Sequence, residues 1–177
     1  TFFSYYLPER KTAKSLAIEL ASRAQLLPSY ILEELNNNIE TEIDRIYSAF
    51  KTFLISDLTK EDFADIYAQT ITYGLFTARL RYQGKDFNRF LAQELIPKNI
   101  QILYDTFNLI SHDRLTESLA WLIDDMATVL AHADIEKIKK ELQRKKGGDD
   151  PLMHFYETFL AEYDPKKRKA RGVYYTP

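Results

Sequence analysis

Apolar residues recur at steps of three and four along most of the chain, the spacing of a helical face rather than of a strand. Thr12 is placed to cap a first helix whose apolar positions are Leu16, Leu20, Ala24 and Leu27. Pro28 is expected to end that helix and Ser29 to cap a longer one, with the stripe Leu32, Leu35, Ile39, Ile43, Ile46, Phe50 and Phe53. At about 1.5 Å per residue such a helix would span on the order of 35–40 Å and form the backbone of the domain. Asn36, Asn37 and Asn38 are poor helix formers and weaken it locally.

The hydroxyl of Thr59 three residues before Asp62 has the form of a capping box. It opens a helix carrying Phe63, Ile66, Tyr67, Thr70, Tyr73, Gly74 and Leu80, with close helix–helix contact expected at Gly74. Gly84 breaks the chain. Two further segments follow, with Phe87, Phe90, Leu91 and Leu95 up to Pro97, then Ile100, Leu103, Phe107 and Ile110. Asp113 is positioned to cap a helix with Leu115, Leu119, Leu122, Met126 and Leu130, and Asp134 a shorter one with Ile135, Ile138 and Leu142. Gly147 and Gly148 terminate it. Asp150-Pro151 starts a last helix with Leu152, Phe155, Phe159 and Leu160, stopped at Asp164-Pro165. The expected fold is all-α, a multi-helix bundle of about six to eight helices with an extended C-terminal tail, divided at residues 148 and 149.

Composition narrows the chemistry. With 177 residues and 45% apolar content the chain can bury a real core without staples. Its zero cysteines exclude disulfides, thiolate metal sites and thiol nucleophiles. No apolar run approaches the length of a membrane span, and a cytoplasmic protein is expected. Charge is unevenly placed: residues 1–136 carry 13 basic and 20 acidic side chains, a balance of −7, whereas residues 137–177 carry 11 and 6, a balance of +5. Lys145, Lys146, Lys166, Lys167, Arg168, Lys169 and Arg171 fall in two bursts, suited to a solvated surface or to phosphates.

Catalytic constellations are absent from the pattern. Of the three histidines, His154 stands three residues before Glu157, a spacing open to metal ligation or an acid–base pair but first of all to an interhelical hydrogen bond. Asp124-Asp125 and Glu33-Glu34 are sequence neighbours, so on helices they point apart. The stripes of Phe and Tyr are expected in the core, and Trp121 is expected to be a packing residue. No phosphate-cradling glycine loop is present.

The final 28 residues are more specific. Asp150-Pro-Leu-Met-His-Phe-Tyr-Glu-Thr-Phe-Leu-Ala-Glu-Tyr-Asp-Pro, continuing Lys-Lys-Arg-Lys-Ala-Arg-Gly-Val-Tyr-Tyr-Thr-Pro177, resembles the opening segment of N6-adenine-specific DNA methyltransferases. The likeness is to the large single-chain restriction–modification type, in which a helical domain lies between nuclease and methylase. Asp65-Ile-Tyr-Ala-Gln-Thr-Ile-Thr-Tyr-Gly-Leu-Phe-Thr-Ala-Arg-Leu80 and Thr12-Ala-Lys-Ser-Leu-Ala-Ile-Glu-Leu-Ala-Ser-Arg-Ala24 are similar to parts of that connecting domain. The resemblance implies that Gly172, Tyr174, Tyr175, Thr176 and Pro177 lie against S-adenosylmethionine in the parent protein. It also implies that Lys166, Lys167, Arg168, Lys169 and Arg171 contact phosphates of double-stranded DNA without sequence choice. The glycine-rich loop and the Asn-Pro-Pro-aromatic motif of such enzymes are missing from these residues. The fragment alone is therefore expected to be inactive, to hold no cofactor tightly, and to work with other domains of its parent chain. Thr1 and Thr176-Pro177 read as cuts within a longer protein. The alternative reading is a free-standing helical interaction module with a basic docking tail.

Overall fold

A computed structural model describes residues 12–37, 39–99, 101–110, 115–144 and 151–164. All regular structure among them is helical: α1 (Ala13–Ala24), α2 (Leu27–Asn36), α3 (Glu42–Phe53), α4 (Lys60–Arg81), α5 (Arg89–Leu95), α6 (Gln101–Ile110), α7 (Glu117–His132), α8 (Ile135–Arg144) and α9 (Pro151–Tyr163). The all-α, multi-helix architecture is thus the one the periodicity predicts. Asp113, Gly147, Gly148, Asp150 and the tail beyond Asp164 lie outside the described residues.

Side-chain caps account for several helix starts. Thr12 Oγ1 accepts from the Ser15 amide at 3.0 Å, and the Ser15 hydroxyl accepts from the Thr12 amide at 2.9 Å. Thr59 Oγ1 accepts from the Asp62 amide at 3.1 Å, and Asp134 Oδ1 from the Lys137 amide at 3.1 Å. Each satisfies a backbone donor that the first turn leaves without an intrahelical partner.

The long helix expected from Ser29 to Phe53 is two helices. Pro28 sits in the first turn of α2 instead of ending α1, because its fixed φ suits a helix start and its missing N–H is not needed there. The chain leaves helix at Asn37, whose backbone is extended. It re-enters at Thr41, which forms a full capping box with Asp44. The break changes the stripe's fate: Leu35, Ile43 and Phe50 are buried, whereas Ile39 and Phe53 are 76% and 82% exposed.

The described residues fall into two compact units. Helices α2 to α7 belong to the first, Ala24–Ala131, in which α4 packs against α2, α5 and α6. Its core is aromatic: Phe63 lies 5.3, 5.4 and 5.2 Å, ring centre to ring centre, from Tyr47, Phe50 and Tyr67. Gly74 is buried along α4 with Ile71, Leu75, Phe76 and Ala78. The second unit comprises α1, α8 and α9. Leu16, Leu20, Ile138, Leu142, Phe155 and Phe159 are its main buried side chains. The Ala13 amide of α1 donates to Glu141 Oε2 of α8 at 2.8 Å, which places a carboxylate at a helix N-terminus.

Candidate functional site

Both residue sets assigned from the resemblance, Gly172, Tyr174, Tyr175, Thr176 and Pro177 for the cofactor and Lys166, Lys167, Arg168, Lys169 and Arg171 for DNA, lie outside the described residues, as do Lys145 and Lys146. The structure therefore places none of them. Among the described residues no strand occurs, and the glycines, Gly74 in α4 and Gly84 in the following loop, make no glycine-rich loop. No group of three or more metal-ligating side chains occurs among the described residues either.

His154 and Glu157 do face one another, with Nδ1 3.8 Å from Oε2, but along the surface of the same helix. They make no interhelical bond among the described residues. No third ligating group among the described residues joins this loose pair.

Three polar arrangements in the Ala24–Ala131 unit are structural. Lys60 Nζ donates to the Leu35 carbonyl of α2, Arg79 Nε to the Leu130 carbonyl of α7 at 2.8 Å, and Arg81 Nη1 to the Leu95 carbonyl of α5 at 3.2 Å. All three acceptors belong to the last turns of their helices, where carbonyls lack intrahelical donors. Arg79 also donates through Nη1 to the carbonyl of Tyr82, the residue whose amide caps the end of α4. Second, the buried Glu34 accepts from the Thr116 amide at 3.1 Å, at the start of α7. Burial pushes the Tyr67 hydroxyl well above its usual range, the nearby Glu34 charge adds to this, and Thr106 partly offsets it. Third, beyond α4, the Tyr82 hydroxyl donates to Asp86 Oδ1 at 2.5 Å, holding the tyrosine above and the aspartate below their ordinary values.

A half-exposed cluster lies between α5 and α7. Arg89 Nε is 3.1 Å from Asp124 Oδ1, and the guanidinium stacks 4.7 Å above the centre of the Phe90 ring. Desolvation raises the Asp124 carboxyl, and the Arg89 charge opposes the rise. Asp124 thereby engages a partner while Asp125 points elsewhere, as helical neighbours must. Trp121, one turn before Asp124 and expected to be a packing residue, is instead 67% exposed. At about 100° per residue it lies opposite the buried stripe of Leu119, Ile123, Met126 and Leu130.

The described Lys and Arg side chains of residues 137–177 all lie on α8. Ile135, Ile138 and Leu142 form its buried stripe. A shallow depression on the outer side is lined by Asp134, Glu136, Lys137, Lys140, Glu141 and Arg144. Lys139 pairs with Glu136 at 2.9 Å and Lys137 with Glu141 at 3.7 Å. Lys140 and Arg144 are exposed and stand one turn apart. No helix among the described residues is long and apolar enough to cross a membrane. Comparison with known proteins finds no match to a family model, to a curated protein or to a solved structure.

Proposed function

We propose that the chain is a helical connector from a site-specific N6-adenine DNA methyltransferase of the restriction–modification type. In this reading it holds catalytic domains in position and offers a surface to duplex DNA. Methyl transfer from S-adenosylmethionine belongs to a domain downstream. The observation that carries the reading is the run from Asp150 to Pro177, whose Arg171-Gly172-Val173-Tyr174-Tyr175-Thr176-Pro177 close resembles the first methylase block of that family. Three further features support it. The body is helical, as a connector of this kind is expected to be. Formal charge changes from −7 before residue 137 to +5 after it. Phe53, Leu54, Phe90 and Trp121 are exposed, which suits surfaces that meet other domains.

The reading is tested by following the reading frame past Pro177 in the source DNA. A strand, a glycine-rich loop and then Asn-Pro-Pro-Tyr or Asn-Pro-Pro-Phe are expected. An immediate stop codon contradicts the proposal. The purified 177-residue chain is expected to transfer no methyl group from labelled S-adenosylmethionine to DNA, and turnover above background contradicts this division of labour.

A further inference from the structure

We infer that Lys140 and Arg144, on the outward face of α8, bind phosphates of duplex DNA and form the folded beginning of the chain's basic run. The inference rests on the DNA-facing reading above and assigns it a second, structured contact apart from the tail.

The charges of α8 carry the argument. Glu136 is occupied by Lys139, and Glu141 by both Lys137 and the Ala13 amide at the start of α1. Both carboxylates within the helix are thus engaged in the unit's own structure. Lys140 and Arg144 have no ion-pair partner among the described residues, and both are exposed. Like charges four residues apart on a helix stand about 5–6 Å apart at Cβ and repel each other. An arrangement that tolerates this repulsion and faces outward is suited to an anion with closely repeated charges. In the sequence the cations continue without interruption as Arg144-Lys145-Lys146.

The same helix argues against an anionic membrane as the partner. A membrane-surface helix inserts an apolar face beneath its basic one. Here that face, Ile135, Ile138 and Leu142, is buried in the protein. A rigid polyanion contacted from above needs no apolar face, and a phosphate backbone meets that description.

The test is a fluorescence-anisotropy titration of a labelled 20-base-pair duplex with the whole chain over a range of sodium chloride. Three proteins are compared: wild type, Lys140→Ala with Arg144→Ala, and a variant with Lys166, Lys167, Arg168, Lys169 and Arg171 all changed to Ala. Each lost phosphate contact lowers the slope of log K against log salt by about 0.9. The α8 double variant is therefore expected to lose about one to two units of slope and to bind several-fold more weakly at low salt, with its circular dichroism unchanged. If its slope and affinity equal those of wild type while the tail variant is impaired, the α8 inference fails and the DNA-facing tail stands. If wild type itself does not bind, the DNA-facing reading fails with it. Displacement of the duplex by poly-glutamate at equal charge concentration also overturns the inference, since the surface would then select an acidic peptide as readily as a nucleic acid.

Discussion

In the Ala24–Ala131 unit, α4 sends Lys60, Arg79 and Arg81 onto terminal carbonyls of α2, α7 and α5. In the other unit, α8 pairs Lys137 and Lys139 within its own helix and leaves Lys140 and Arg144 facing outward. The carboxylates show a parallel division. Glu34 is buried where it accepts the Thr116 amide, whereas Glu141, accepting the Ala13 amide, remains partly exposed. What separates the two helices is the supply of unpaired backbone groups within reach. α4 lies against helices whose last turns need donors, and its cations are consumed by the fold. Among the described residues Lys140 and Arg144 of α8 make no such bond to a carbonyl.

The largest test of this contrast is Arg79→Met. It leaves the buried Leu130 carbonyl without its donor and should lower stability by about 2–4 kcal/mol in urea unfolding. A loss below about 0.5 kcal/mol would mean that the arginine does not join α4 to α7. Next in size is Glu34→Ala, which strands the Thr116 amide and should cost about 1–3 kcal/mol. The matching Glu141→Ala should cost less, because water can reach that site. Equal losses would erase the distinction between the carboxylates.

Arg89→Met probes the half-buried pair. Desolvation raises the Asp124 carboxyl and Arg89 opposes it, so removing the arginine should move the midpoint of Asp124 further upward in a carboxyl-carbon NMR titration. The sign for stability follows. A folded state that keeps this proton to a higher pH than the unfolded chain loses stability as pH rises from the ordinary aspartate range to the folded midpoint. The variant should widen that window, and an unmoved midpoint contradicts the pairing. The smallest effect belongs to Lys140→Ala with Arg144→Ala. Relief of like-charge repulsion and loss of favourable charge near a helix C-terminus oppose each other, leaving stability within about 0.5 kcal/mol of wild type. A larger loss would make these cations structural, like those of α4.

Local chemistry made much of the fold legible. Thr12, Thr59 and Asp134 cap where a polar residue precedes an apolar stripe, and α4, α7, α8 and α9 follow their stripes. Pro28 misleads because the same ring suits a helix start and stops a preceding helix. The Thr41–Asp44 capping box was readable and marks the break that the continuous stripe conceals. Residue type alone makes Trp121 a packing residue, although its position round α7 opposes the buried face. The roles of Arg79, Arg89 and Glu34 were not legible in the same way. Each depends on a partner 35 to 82 residues away in the chain, and no local period encodes that approach. For the candidate site the balance reverses: the tail is read from its sequence resemblance alone, while the outward pair on α8 emerges only once its neighbours' ion pairs are known.

The proposal that the chain offers a basic surface to duplex DNA is tested most directly by titrating unrelated duplexes with the whole chain at about 50 and 200 mM salt. The account predicts binding that is the same for every sequence and weakens steeply between the two salt concentrations. No binding at the lower salt, or affinity that ignores salt, contradicts it.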